Sequence, residues 1–303
     1  MKIIDAFIFY NELDILYYRL STLNDTVDYF ILVESNLTHK GTEKPLFFNI
    51  HKDTQRFAKF SHKIIHIIET GLEPFPIVDE KDLTSPQNRY WKNENKQRNA
   101  IDKGIQQLNG GMNGGTISPE DILLISDVDE IPNRLILEQL KSAVSVTDVM
   151  GEYGIISLRQ DFYYYNLLCK NEEEWIFPKM MTLKFYTEYL DRTPQRGRMY
   201  HTEPSETSQP TAIMENGGWH LSYFGDPHFI QNKIRGFAHQ EFNTAKYTNI
   251  NYIQESIKNK KSIYDRSFDK ITYIPISSND RLPFEYNTYL HKFTTENTAD
   301  TLP

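Results

Sequence analysis

Apolar residues fall in short runs along the first half of the chain. Residues 3–10 are apolar and β-rich, and over 12–23 the apolar positions Leu13, Leu16, Tyr17 and Leu20 recur at helical spacing. Residues 29–33 are apolar again and end at Glu34-Ser35-Asn36, and 63–68 (Lys-Ile-Ile-His-Ile-Ile) make a third run. Short apolar runs bounded by polar residues predict buried strands, and strand, helix, strand at this spacing predicts βαβ units and a mostly parallel sheet. Pro74, Pro76 and Pro86 break the chain before a polar helix predicted over 88–108. A Gly-rich loop follows at 109–116; without the Gly-Lys-Ser/Thr ending of a phosphate-binding P-loop it reads as a flexible turn. The second half is less regular: strands over 154–158 and 181–186, a basic, Pro-containing loop over 191–198, an exposed loop over 202–211 and helices over 230–262. The last forty residues show little periodicity. No linker divides the chain, so the expected organisation is an α/β domain over 1–245 with 246–303 as a helical or irregular extension packed on it.

A further apolar run begins at Ile122 and empties into Asp127-Val128-Asp129-Glu130-Ile131-Pro132. Pro132 has no N–H for a central ladder, so the acids sit where a strand becomes a loop. That end of an open α/β sheet is where ligands bind. Clustered carboxylates without local basic partners repel one another unless a cation joins them. A hard divalent ion, Mg²⁺ or Mn²⁺, held by one or two carboxylates and by substrate phosphates, suits such a site. Asp-x-Asp at a strand end is also how many nucleotide-sugar glycosyltransferases hold the donor diphosphate. The rival reading is a solvated turn with helix-capping acids.

Charge narrows the classes. The formal net charge of −8 argues against a nucleic-acid partner, since neutralising phosphates needs a basic face. The single cysteine, Cys169, allows no intrachain disulfide and is read as a packed or surface thiol. No apolar run of about 18 residues could span a bilayer. The first residues are too short and too acidic a stretch for a secretory signal. The expectation is a soluble, cytoplasmic protein with at most peripheral membrane contact.

Four segments, taken in order, resemble a known family. They are Phe9-Tyr-Asn-Glu-Leu-Asp-Ile-Leu16 with Arg19-Leu20, Val27-Asp-Tyr-Phe30, Glu34-Ser-Asn-Leu-Thr38, Gly41 and Pro45-Leu-Phe47; Trp91-Lys-Asn-Glu94 with Gln97-Arg98; Ser126-Asp-Val-Asp-Glu-Ile-Pro132; and Gly217-Gly-Trp-His220 with Lys233 and Ala238-His-Gln-Glu241. The set resembles glycosyltransferase family 17 over roughly residues 3–245. The resemblance implies a GT-A (Rossmann-like) fold and an inverting, metal-dependent transfer. The sugar, N-acetylglucosamine or a related hexose, would pass from a UDP-sugar to a glycan acceptor, with Mn²⁺ or Mg²⁺ as cofactor. Three departures leave donor and acceptor open: Asn93 stands where a basic residue is expected, Gly236 where Ser is common, and the membrane anchor of the eukaryotic members is not seen.

The roles can then be assigned. Asp129 is the first choice as direct metal ligand, with Asp127 on the ribose or on the metal through water, and His220 as a third ligand rather than a packing histidine. Asn11 and Glu12, at the end of the first strand, and Glu34, at the end of the second, lie where such a sheet receives uracil and ribose. Turn chemistry and helix capping are their rival roles, Asn11 being a good N-cap. Gln97 and Arg98 could reach base or diphosphate, although Glu94 offers Arg98 an ordinary i,i+4 pair. Trp219, Lys233 and His239 are expected beside the donor. Arg192, Arg196 and Arg198 form either a second phosphate clamp or a merely solvated loop. For the catalytic base, Asp226 and Glu241 rank ahead of Asp161. Tyr163, Tyr164, Tyr165 and Trp175 either stack on acceptor sugars or fill the core. Two other classes remain open, a metal-dependent nucleotide-sugar hydrolase or phosphotransferase and an inactive carbohydrate-binding protein. Residues 217–241, which a simple hydrolase would not need, argue against the first.

Overall fold

The computed structural model describes residues 1–74, 89–111, 116–151, 154–200, 212–266 and 269–295. Its first three apolar runs become strands β1 (Ile3–Ile8), β2 (Tyr29–Ser35) and β3 (Ile64–Glu69), and the run that ends in the acids becomes β4 (Ile122–Asp127). They pair in parallel in the order β4-β1-β2-β3. The register sets Ile8 opposite both Val33 and Asp127, so the carboxyl ends of three strands finish side by side. β1 is buried along its whole length because alternate residues enter two cores. Ile3 and Phe7 pack with Leu16, Leu20 and Leu23 of the helix Leu13–Leu23. Ile4, Ala6 and Ile8 pack with Ile101, Ile105 and Leu108 of the helix Ile101–Asn109 on the opposite side.

The remaining strands are β5 (Glu130–Pro132), β6 (Ile155–Tyr164), β7 (Cys169–Trp175), β8 (Lys179–Thr182), β9 (Ala212–Ser222) and β10 (Ile271–Tyr273). β8 runs antiparallel to β4 and carries the sheet on through β6 and β7 to β10. β9 lies parallel to β6 and antiparallel to β5, with Glu130 opposite His220. Gly218 makes this pairing possible: its φ is +132°, and a Cβ there would lie 2.0 Å from the Ile131 carbonyl oxygen. The result is one mixed α/β sheet flanked by helices, compatible with the expected Rossmann-like GT-A fold.

Several boundaries differ from expectation. The polar helix is two, Arg89–Asn99 and Ile101–Asn109, meeting at Ala100. The strand expected over 181–186 stops at Thr182, whose hydroxyl accepts the Phe185 N–H and so starts the helix Leu183–Glu188. The basic loop closes as a short helix, Pro194–Arg198, with Pro194 in its first turn. Cys169 is buried. In the C-terminal segment Leu290 and Phe293 pack with Trp219 and Leu221. Pro76, Pro86, the centre of the Gly-rich loop (112–115) and the loop at 202–211 lie outside the described residues.

One buried cation ties the acidic turn to the sheet. Arg19, fully buried on the helix Leu13–Leu23, donates from Nε and Nη2 to the two carboxylate oxygens of Asp5, at 2.8 and 2.5 Å, and from Nη2 to Ser126 Oγ at 2.7 Å. Its Nη1 serves the backbone carbonyls of Asp127, Val128 and Glu130 at 2.8, 3.2 and 2.9 Å. An Arg19→Met variant strands the Asp5 carboxylate in the core and leaves three turn carbonyls without a donor. Its unfolding free energy in urea should fall by about 3–5 kcal/mol, and adding Asp5→Asn should recover part of that loss. A loss below about 1 kcal/mol would mean that the turn holds itself.

Candidate active site

A cleft of about 480 Å³ opens over the carboxyl ends of β1, β2 and β4. The acidic turn forms its floor, the helix Arg89–Asn99 supplies Trp91, Glu94, Gln97 and Arg98, and the helix Pro194–Arg198 supplies Gln195 and Arg198. His220 enters from β9, Glu173 and Trp175 from β7, and Lys233 from the helix Pro227–Gly236.

The carboxylates do have basic partners, brought from far along the chain, and this corrects the premise that only a cation from solution could relieve their repulsion. Asp127 accepts from Arg98 at Oδ1 (2.8 Å) and from Arg198 at Oδ2 (3.2 Å). Glu130, fully buried, takes both Nη atoms of Arg198 at 2.5 and 2.6 Å, the Asp127 N–H at 2.7 Å and the Trp175 Nε1–H at 2.7 Å. It is therefore a structural acid. Asp129 Oδ2 meets the Lys233 ammonium at 2.8 Å, and that ammonium also reaches Glu12 Oε1 at 2.9 Å. Asp129 Oδ1 faces His220 Nε2 at 3.8 Å.

Among the described residues no group of three or more His, Cys, Asp or Glu side chains gathers as a metal cage. The expected trio of Asp127, Asp129 and His220 does not close, because Asp127 is turned towards the two guanidiniums. Asp129 and His220 do pair, and 3.8 Å is within the span of two ligands that each stand about 2.1 Å from one ion. His220 suits that use. Its Nε2 is the nitrogen that faces Asp129, and burial lowers its pKa against the pull of Asp129 and Glu130, which favours the neutral ring that a metal ligand needs. Phe162 stacks on the ring with centroids 4.4 Å apart, and Trp175 covers it at 4.0 Å.

Of the other expected residues, Glu12, Gln97, Arg98, Arg198, Lys233, His239, Tyr164 and Trp175 line the cleft. Gln97 is held by the Phe9 and Val33 carbonyls and by His39. Others are engaged elsewhere. Glu34 receives the Phe48 and Asn49 N–H groups and pairs with His66, and Trp219 donates to the Arg281 carbonyl. Arg192 pairs with Asp102, and Arg196 with Asp191. Asn11 is not a cap: Glu12 holds the N-cap position, and Asn11 Oδ1 is buried without a partner among the described residues. Tyr163 and Tyr165 belong to the core. None of the three acids expected as base lines the cleft. Asp226 caps the helix Pro227–Gly236 through the Phe229 N–H, Glu241 is bonded to His239, and Asp161 is paired with Lys170 and Arg281. Sequence reasoning missed Lys44, whose pKa burial lowers to about 8, and Glu173, both cleft residues. Glu173 carried a faint signal in the acidic triplet 172–174 beside Trp175.

Burial alone would raise the Asp127 carboxyl, but Arg198 and Arg98 override it and hold the pKa below its ordinary 3.8. A carboxyl lowered in the folded state contributes stability above its unfolded pKa and loses it as pH falls through the folded value. Unfolding free energy should therefore decline as pH drops below about 4, and Asp127→Asn should flatten that decline, as read from urea titrations at stepped pH. An unchanged slope would show that the two guanidiniums are not Asp127's to neutralise.

A family model for glycosyltransferase family 17 matches residues 1–282. The mouse and rat proteins named β-1,4-mannosyl-glycoprotein 4-β-N-acetylglucosaminyltransferase are each 24% identical over 274 residues, 85% of this chain and 47% of theirs. The human protein of that name is 24% identical over 254 residues. The chain thus spans about half the length of the curated relatives it matches. With a match that runs through every strand and helix that builds the cleft, this chain belongs to glycosyltransferase family 17.

Proposed function

We propose that this protein is a metal-dependent, inverting glycosyltransferase that moves N-acetylglucosamine, or a related hexose, from a UDP-sugar to a glycan acceptor. The observation that carries the reading is the Asp129–His220 pair at 3.8 Å, set among Arg98, Arg198 and Lys233 at the carboxyl ends of β1 and β4. Asp129 and His220 would hold Mn²⁺ or Mg²⁺, which leaves its other positions to diphosphate oxygens and water. A bound ion would neutralise charge on the departing diphosphate. Arg98, its Nε buried without a partner, and the ammonium of Lys233 stand beside that charge. Gln97, on the helix Arg89–Asn99 and bonded to the Val33 carbonyl of β2, and Glu12, just past the end of β1, flank the space for the nucleoside. The relatives' names support the choice of sugar.

The Lys233–Asp129 bond favours a second reading, in which the ammonium takes the place of the divalent ion and donor binding needs no metal. Calorimetry of UDP with Mn²⁺ and with EDTA separates the two. Binding should be at least tenfold tighter with Mn²⁺, and Asp129→Asn should remove the difference. His220→Ala should weaken only the Mn²⁺-dependent part, by about tenfold or more. Equal affinity in both conditions would assign the diphosphate to Lys233 and overturn metal dependence.

A further inference from the structure

Among the described residues five acids line the cleft, and four of them are spoken for. Glu12 is held by Lys233 and the Tyr10 and Asn11 N–H groups, Glu94 by Arg98, Asp127 by two guanidiniums and Asp129 by Lys233. The fifth, Glu173, is half-buried, and its carboxylate makes no ion pair or hydrogen bond among the described residues. It stands on β7 and lines the same cleft as Gln97 and Arg98.

The backbone there is shaped to present it. Two steps of β6, Gln160 to Phe162, face four of β7, Trp175 to Asn171, so residues 172–174 bulge out of the ladder. Bulges re-aim side chains and concentrate beside active sites. Buried Asn171 fixes this one: its Oδ1 accepts the Glu173 N–H at 2.8 Å and its Nδ2 donates to Asp269 at 2.7 Å. Asp269 also takes the Arg266 guanidinium, at 2.8 Å from Nη2, so the cation whose charge acts on Glu173 is already bound to another carboxylate. Along the strand Glu173 is at most about 7 Å from Trp175, whose ring covers His220.

We infer that Glu173 is the catalytic base, which receives the proton of the attacking acceptor hydroxyl. The inference rests on the transferase reading above. The acceptor oxygen forms its bond to the anomeric carbon as the bond from that carbon to the diphosphate breaks. The leaving electron pair stays on the diphosphate, and the hydroxyl proton passes to the Glu173 carboxylate. A base works best when its pKa lies near the working pH. Burial raises the Glu173 carboxyl above its ordinary value of 4.5, opposed by Arg266 and supported by Asp269, with the Tyr164 hydroxyl the other titratable group beside it.

Because the carboxylate has no bond to lose, Glu173→Gln should fold with unchanged thermal stability. The test is UDP release from UDP-N-acetylglucosamine with Mn²⁺ and a mannose-terminated oligosaccharide, measured beside UDP affinity and across pH. We expect kcat to fall by about 10²- to 10⁴-fold with UDP affinity unchanged. The wild-type decline in kcat/KM on the acid side, as Glu173 takes up a proton, should vanish in the variant. If the wild type releases UDP and Glu173→Gln matches it within about threefold, the base lies elsewhere while the transferase reading stands. If the wild type neither binds UDP nor releases it, both fall together.

Discussion

The structure depends on how an acidic turn is held at the end of a central strand. Asp127, Asp129 and Glu130 leave β4 within four residues, and each is matched by a base from another part of the chain: Arg98, Arg198 or Lys233. Arg19 works from beneath on the turn's carbonyls instead of its carboxylates. Bringing ions together in a protein interior costs more than their attraction returns unless each is fully hydrogen-bonded. Here the bonding is close to complete, and it turns a stretch that sequence presents as repulsive into the anchor of the cleft. Among the described residues, Asp129 Oδ1, the ring of His220 and Arg98 Nε keep spare capacity, and all three side chains line the cavity.

This arrangement divides labour among like residues. Glu130 and Glu34 have oxygen atoms saturated by backbone and side-chain donors and act as scaffold, whereas Glu173 is presented with its carboxylate unused. Arg198 is drawn inward by Glu130, while Arg192 and Arg196, six and two residues away, stay outside on Asp102 and Asp191. Residue type alone does not decide which acid or base is functional; the inventory of remaining donors and acceptors does.

That inventory explains what sequence could and could not reveal. The βαβ half was legible because β1, β2 and β4 are continuous apolar runs buried on both faces, and local periodicity encodes burial directly. The Asp-x-Asp turn and His220 were legible through the resemblance of whole segments. The helix Leu183–Glu188 was hidden because an apolar Met-Met-Thr-Leu stretch serves strand or helix equally, and the Thr182 cap decided it. The base was hidden for a different reason. Asp226 and Glu241 adjoin recognisable motifs but are consumed by a helix terminus and by His239, while Glu173 owes its position to a bulge set by Asn171 and Asp269, a long-range pairing that leaves no periodic trace.

The placement of β9 has a consequence for the order in which the chain can be completed. His220 reaches the turn only when β9 slots between β5 and β6, and Lys233 arrives a helix later, about a hundred residues after the acids they serve. A ribosome that has released the chain only as far as β8 has made the acidic turn, Arg19, Arg98 and the strand scaffold, yet neither His220 nor Lys233. Until β9 and the helix Pro227–Gly236 are in place, then, the acidic turn lacks both His220 and Lys233. Contacts of such long sequence separation are slow to form.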